Sequence, residues 1–199
     1  MNKLVLYVHG KGGSPKEAAH YRPLFPGSDV LGVPYQAQTP WEAERELPLF
    51  YDAHSAGYDS VTLIANSIGA FFSMSALAGK NIAQALFISP IVDMEKLITD
   101  MMQWANVTED ALRREKTIPT PFGETLSWDY LCYVRAHPLR WHIPTHILYG
   151  GEDHLTSRET ITAFSSRTGA SLTVMEDGEH WFHTEAQMAF LDNWLRHIP

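Results

Sequence analysis

The chain has 199 residues, of which 45% are hydrophobic and 19% are charged. This length fits one compact domain, and the composition is that of a folded globular protein and not of a disordered one. The 23 acidic residues outnumber the 15 basic ones and give a net charge of -8, which argues against nucleic acid or an anionic membrane surface as the main partner.

Short apolar runs alternate with helical patterns along the chain. The runs are apolar along their whole length, as expected of strands covered by helices on both faces. The alternation predicts an α/β three-layer sandwich, with a mostly parallel sheet of about six strands. The predicted strands are 4–8, 30–33, 61–65, 85–88, 145–149 and 172–175, and the predicted helices are 16–24, 41–53, 68–77, 157–167 and 185–194.

One segment, 91–144, interrupts the alternation because it separates two strands that a single helix could join. Apolar residues recur at helical spacing over 94–104, and Ser127 can cap a second helix. The proline- and glycine-containing piece 119–123 is predicted to be a loop. We interpret the whole segment as a helical cap inserted into a single domain, 1–199.

Ser67 follows the predicted strand 61–65 and precedes a helix. A serine at a tight strand-to-helix turn needs small residues two positions before and after it, because the strand and the helix otherwise clash. Ala65 and Gly69 occupy these positions, although Ala65 departs from the glycine of the G-x-S-x-G motif. Ser67 is therefore a candidate nucleophile, with the alternative that its hydroxyl only caps the helix.

The first predicted strand ends in a glycine-rich turn, 9–13. Acyl transfer needs two N–H donors where negative charge develops, and glycines let the backbone approach closely. Ile68, which follows Ser67, can supply one N–H. Lys11 is our candidate for the other, with Gly12 as the alternative. An ordinary βα turn also favours glycine, while the spacing fits neither a phosphate-binding P-loop nor a dinucleotide fingerprint.

Two further turns carry a carboxylate and an imidazole. Asp153 follows the strand 145–149 and can orient an imidazole, with the alternative that it or Glu152 is an ordinary solvated loop charge. His180 follows the last strand, 172–175, and can bond a serine through one ring nitrogen and a carboxylate through the other.

These elements together resemble the α/β-hydrolase superfamily, whose triad runs in the order Ser, Asp, His. Ser67, Asp153 and His180 follow that order, and each comes after a predicted strand. The resemblance covers nearly the whole chain and points to a small, minimal member. In this comparison the insertion 91–144 takes the place of the family's variable cap.

The resemblance implies a serine hydrolase with a catalytic triad and an oxyanion hole that cleaves a small-molecule carboxylic ester through an acyl-enzyme. The alternatives are thioesterase or amidase activity on the same triad, or a non-catalytic hydrolase-fold binding module. Because the family's cap lies over the strand ends, some of the large apolar side chains of 91–144 are expected to line the acyl pocket. The alternative is that most of them only anchor the insertion to the domain. The candidate substrate-binding residues are Met102, Trp104 and Phe122.

Cofactors, disulfides and membrane segments are not expected. The one cysteine, Cys132, can form neither an internal disulfide nor a thiolate metal cluster. His154, His180 and His183 could instead be metal ligands, but no pattern such as H-E-x-x-H accompanies them. The apolar run 4–10 is too short for a signal-peptide core, so we expect a cytoplasmic protein.

Overall fold

Strands and helices alternate along residues 1–198, which are the residues that the computed structural model describes. The strands are β1 (Lys3–Val8), β2 (Ser28–Gly32), β3 (Ser60–Asn66), β4 (Gln84–Ile88), β5 (Thr117–Pro119), β6 (Thr125–Ser127), β7 (Thr145–Gly150) and β8 (Ser171–Met175). The α-helices are α1 (Ala18–Tyr21), α2 (Pro40–Ser55), α3 (Ile68–Leu77), α4 (Met94–Trp104), α5 (Glu109–Glu115), α6 (Trp128–Ala136), α7 (Arg158–Thr168) and α8 (Glu185–Arg196). Within these residues, no helix is both long enough and apolar enough to cross a membrane.

Six of the strands form one sheet in the larger of two compact units, which comprises Met1–Val92 and the residues from Arg140 onward. The strand order is β2-β1-β3-β4-β7-β8, and all neighbouring strands are parallel. The predicted α/β class and parallel sheet are confirmed, with strand ends that differ from the predicted ones by one or two residues. In such sheets, sites form at the carboxyl ends of the strands.

Helices cover both faces of the sheet. Val5 and Tyr7 of β1 lie in a buried cluster with residues of α1 and α8. Leu4, Leu6 and Val8 are also buried, and they point to the opposite face because side chains alternate along a strand. The connections from β2 to β3, β3 to β4 and β7 to β8 all cross the sheet in one direction, so right-handed crossovers place α2, α3 and α7 on this second face. The predicted three layers are confirmed.

The predicted helix 16–24 is wrong in its form. The structure has an α-helix only over Ala18–Tyr21, flanked by 3-10 turns at Pro15–Glu17 and Arg22–Leu24. Pro23 has no backbone N–H and so cannot continue the α-helical ladder. The apolar spacing indicated helical structure here but not its broken form.

Asp93–Leu139 form the second compact unit. The helix predicted after Ser127 is confirmed as α6, where the Ser127 hydroxyl accepts the N–H of Tyr130 at 3.2 Å. The prediction of a loop over 119–123 is incomplete, because this piece belongs to an antiparallel hairpin of β5 and β6. The side chain of Thr120 closes the hairpin by bonding the backbone of Glu124.

Candidate active site

Ser67 lies between β3 and α3 in a backbone conformation that L residues rarely adopt, with φ 51° and ψ -121°. Its N–H donates to the carbonyl of Ile88 at 3.0 Å, and its carbonyl accepts the N–H of Ile91 at 3.1 Å. These backbone bonds hold the strained turn. The Ser67 hydroxyl makes no capping bond to α3, so the alternative that this serine only caps the helix is wrong.

Gly69 is the position where α3 passes closest to the end of β1. A β-carbon there would lie 2.3 Å from the carbonyl oxygen of His9 and 2.8 Å from that of Val8, much closer than atoms pack. Ala65, at the other small position of the motif, is fully buried, and its methyl group is accommodated. Of the two positions beside Ser67 that need a small residue, only position 69 therefore requires glycine in this chain.

We expect Gly69→Ala to lower the free energy of unfolding by about 1–3 kcal/mol, because the new methyl group pushes the end of β1 away from α3. Gly79→Ala is the matched control, since a β-carbon at Gly79 meets nothing within 4 Å. That variant should stay within about 0.5 kcal/mol of the wild type. Denaturant unfolding measures both, and equal stability of the two variants would contradict the close packing at Gly69.

Three side chains from separate turns form one chain of hydrogen bonds. The Ser67 Oγ is 2.7 Å from His180 Nε2, and His180 Nδ1 is 2.7 Å from Asp153 Oδ2. Because a carboxylate only accepts, a proton is assigned to Nδ1, and in the neutral ring Nε2 then accepts from the serine hydroxyl. The structure thus brings together all three candidates that the sequence singled out.

Asp153 is held for this contact by its own turn. Its side chain has no exposed surface, and its Oδ1 accepts the N–H groups of Leu155 at 2.8 Å and Thr156 at 3.1 Å. The other oxygen is left for His180. A buried carboxylate needs such donors, whereas Glu152 beside it is exposed. The alternative of a solvated loop charge is therefore wrong for Asp153 and right for Glu152.

Two glycines set the spacing between the turn that carries the carboxylate and the loop that carries the imidazole. A β-carbon at Gly150 would lie 2.4 Å from the carbonyl oxygen of Glu179, and one at Gly151 would lie 2.2 Å from that of Glu176. The two backbones are therefore in direct contact. This packing explains why two glycines precede the acid in the sequence.

The other two candidate histidines lie outside the hydrogen-bonded chain. The ring of His183 stacks on Trp181 with centroids 4.4 Å apart, and its Nδ1 is 2.7 Å from the Trp181 carbonyl oxygen. His154 is exposed. Within residues 1–198, no three His, Cys, Asp or Glu side chains form a group that could hold a metal ion.

Residues 9–14, here called the glycine loop, lie beside Ser67. A β-carbon at Gly10 would be 3.2 Å from the Ser67 Cβ. The carbonyl of His9 accepts the Tyr35 hydroxyl at 2.6 Å, and the two rings stack with centroids 4.3 Å apart. Burial raises the pKa of Tyr35, so the phenol remains a neutral donor. One end of the glycine loop is therefore fixed.

The candidate oxyanion donors lie on both sides of this contact. Ile68 is the first residue of α3, where N–H groups have no partner within the helix. Lys11 and Gly12 are exposed residues of the glycine loop, and Gly12 has φ 74°, a conformation that favours glycine. Their roles as oxyanion donors stay predictions.

The candidate substrate-binding residues all lie in the second compact unit. Met102 is only 6% exposed, whereas Trp104 is 53% and Phe122 45% exposed. The rings of Trp104 and Phe122 meet edge to face with centroids 6.1 Å apart. Their part in binding a substrate stays a prediction.

Sequence reasoning missed a group of side chains that connect the glycine loop to the turn at Ser67. The Asn66 amide donates to the Tyr7 hydroxyl at 3.0 Å, and that hydroxyl donates to Glu17. The Glu17 carboxylate also accepts the N–H of Ser14 at 2.9 Å. Ser14 and Glu17 form a capping box, so the pattern Ser-x-x-Glu was an available signal for half of this network.

Solved structures of hydrolases are similar to this chain, whereas no family model and no curated protein matches its sequence. Est1E from Butyrivibrio proteoclasticus superposes with a TM-score of 0.78 at 15% identity, covering 98% of this chain and 86% of that one. Mouse alpha/beta hydrolase domain-containing protein 10 superposes with a TM-score of 0.74 at 12% identity, covering 96% of this chain and 87% of that one. A lipase-esterase related protein from Clostridium acetobutylicum ATCC 824 superposes with a TM-score of 0.67 at 17% identity, covering 98% of this chain and 94% of that one. At these identities the likeness establishes the fold alone, and at that level it confirms the resemblance drawn from the sequence.

Proposed function

Because this chain has the α/β-hydrolase fold, we propose that it is a serine hydrolase that cleaves a carboxylic ester with Ser67 as its nucleophile. The observation that carries the proposal is the unbroken chain of hydrogen bonds from Ser67 through His180 to Asp153. A neutral imidazole at this distance can take the proton of a serine hydroxyl as the oxygen attacks.

In the proposed reaction, Ser67 Oγ bonds to the acyl carbon while its proton passes to His180 Nε2. The buried carboxylate of Asp153 stabilises the imidazolium that forms. His180 then gives the proton to the leaving alkoxide oxygen, the C–O bond breaks, and an acyl-enzyme remains. Water attacks the acyl-enzyme, His180 takes a proton from the water, and that proton returns to Ser67 as the acid leaves.

The negative charge of the tetrahedral intermediate needs donors aimed at it. In this proposal they are the N–H groups of Ile68 and Lys11, with Gly12 as the alternative to Lys11. The close approach of Gly10 to Ser67 supports this role, since it brings the glycine loop beside the nucleophile. One such donor is worth about a hundredfold to a thousandfold in turnover.

An ester is proposed over an amide because an alkoxide leaving group demands less of the acid than an amine does, and a thioester stays the alternative. The net charge of -8 fits a small-molecule substrate better than a nucleic acid or an anionic membrane. No cofactor enters any step of the proposed reaction. Est1E has been seen with ferulic acid bound, so aromatic esters belong among the trial substrates beside aliphatic ones.

We expect Asp153→Asn to reduce turnover of an ester on the order of a thousandfold or more, because an amide favours the wrong imidazole tautomer. Glu152→Gln is the matched control, since the neighbouring carboxylate of Glu152 is exposed. This substitution should change turnover less than about threefold. Steady-state kinetics on the same ester compares the two variants. The opposite ranking would move the acid to Glu152.

The substrate class is tested with a series of chromogenic esters of increasing acyl length, aliphatic and aromatic, on the folded wild type. Turnover of at least one ester supports the proposal, and turnover of thioesters or amides alone would replace the ester by those classes.

We expect Trp104→Ala and Phe122→Ala to shift the preferred acyl length by about 1–3 kcal/mol of discrimination. Met102→Ala is a poorer probe, because a buried side chain also contributes to stability.

Leu49→Ala is the control for the acyl-length series, because Leu49 is a 71% exposed apolar residue on α2. It should keep the wild-type profile. If Trp104→Ala and Phe122→Ala also keep that profile, these residues do not select the acyl group.

A further inference from the structure

We propose that Glu17 is a positioning residue, which acts through Tyr7 and Ser14 to hold the glycine loop in register with the turn that carries Ser67. The inference rests on the proposed function, since it assigns the glycine loop as one side of the oxyanion site. It adds two residues, Glu17 and Tyr7, that touch neither the substrate nor the reacting atoms.

Tyr7 contacts the turn that carries Ser67. Tyr7 is on β1, the strand that leads into the glycine loop, and it is fully buried. Its hydroxyl accepts the side-chain N–H of Asn66 at 3.0 Å, and Asn66 directly precedes Ser67. The Tyr7 hydroxyl is thus the polar link between the ends of β1 and β3.

Tyr7 is also linked to the glycine loop, through the carboxylate of Glu17. The Tyr7 hydroxyl donates to Oε2 of Glu17, while Oε1 of the same carboxylate accepts the N–H of Ser14 at 2.9 Å. Burial, and then the neighbouring Tyr21 and Glu17, raise the pKa of Tyr7, so its hydroxyl stays protonated and can donate. One carboxylate therefore joins the buried phenol to the last residue of the loop.

The glycine loop packs closely on the carboxylate of Glu17. A β-carbon at Gly13 would lie 3.0 Å from Glu17 Oε1 and 3.0 Å from the His9 Cβ. The Tyr35 hydroxyl bonds the His9 carbonyl at the other end of the loop. Lys11 and Gly12, the candidate donors, lie between two fixed ends, so a change at either end moves them relative to Ser67.

A second capping box in the same chain shows what Glu17 does beyond capping. At the start of α2, Glu42 accepts the N–H groups of Gln38 at 2.8 Å and Thr39 at 3.0 Å, both through Oε2. Glu17 instead divides its two oxygens between a backbone N–H and the buried hydroxyl of Tyr7. In Glu17→Gln an NH2 group replaces one of these two oxygens, so one of the two donors would face another donor and lose its partner.

The test compares Glu17→Gln and Tyr7→Phe with Glu42→Gln, the same substitution in the capping box at the start of α2, which has no part in the proposed reaction. For each variant we would measure kcat and KM on the best ester, the affinity for a trifluoromethyl ketone, and the free energy of unfolding. We expect Glu17→Gln and Tyr7→Phe to lower kcat about tenfold to a hundredfold with little change in KM, because small displacements of catalytic donors have effects of this size. Affinity for the ketone, which mimics the tetrahedral intermediate, should fall by the same factor.

Glu42→Gln keeps one oxygen that can accept both of its N–H donors, so it should lose little stability and keep wild-type kcat. Wild-type kcat and ketone affinity in both Glu17→Gln and Tyr7→Phe would overturn the inference. A fall in kcat that only follows the unfolded fraction, or that equals the fall in Glu42→Gln, would overturn it too. If the folded wild type neither turns over an ester nor binds the ketone, the proposed function itself fails and this inference fails with it.

Discussion

Replacing Ser67 with alanine is expected to reduce ester turnover by on the order of a thousandfold or more, because it removes the attacking oxygen. The fold should persist, since the hydroxyl makes no capping bond to α3 and its hydrogen-bond partner is the imidazole of His180. Steady-state kinetics measures the loss, and circular dichroism with thermal unfolding checks the fold.

Ser157→Ala is the matched control for this substitution. The Ser157 hydroxyl does cap a helix, accepting the N–H of Thr160 at 3.2 Å. This variant should therefore lose about 1 kcal/mol of stability and keep its turnover. Near wild-type activity in Ser67→Ala would show that another group is the nucleophile.

Replacing His180 with alanine is expected to have an effect of the same order as Ser67→Ala, because residues that act as one unit lose nearly everything when either is removed. His183→Ala is the control, since the His183 ring stacks on Trp181 outside the hydrogen-bonded chain. This substitution should change turnover less than about threefold. The same ester assay measures both, with and without EDTA. Equal losses in the two histidine variants, or activity removed by EDTA and restored by zinc, would favour a metal site over the triad.

The parts of this fold that could be predicted are those that leave a local signal in the sequence. The buried strands appear as continuous apolar runs, and the start of α6 appears as a capping serine, Ser127. Asp153 could be preferred to Glu152 only by the order and spacing of the superfamily's motifs. The structure supplies the physical reason, which is that Asp153 is buried and bonded by backbone N–H groups while Glu152 is exposed.

Helix α5 was missed because its local signal is weak. Leu112 is its only buried residue, so no apolar stripe marks it. Its remaining signals were the cap at Thr108 and the acidic residues of its first turn. Short helices with one buried residue depend on the packing of their surroundings more than on their own pattern.

The contacts around the candidate nucleophile were missed for a different reason. Tyr7 reads as one more apolar residue of a buried strand, and nothing local shows that its hydroxyl meets Asn66 and Glu17. Tyr7 and Asn66 meet because β1 and β3 are neighbours in the sheet, and Glu17 reaches Tyr7 from the 3-10 turn that follows the glycine loop. Likewise, the need for a small residue at position 69 was predicted, but its cause was not. The His9 carbonyl, which leaves no room for a side chain there, follows a different strand.

Covalent labelling with a fluorophosphonate probe tests the central claim most directly, because the reaction needs a nucleophilic serine and no knowledge of the natural substrate. Intact-mass and peptide-mapping spectrometry should find one adduct in the wild type, located on Ser67. The adduct should be absent in Ser67→Ala and form far more slowly in His180→Ala. A folded wild type that carries no adduct on Ser67, or equal labelling of Ser67→Ala, would contradict the assignment of Ser67 as nucleophile and favour a binding module with the hydrolase fold.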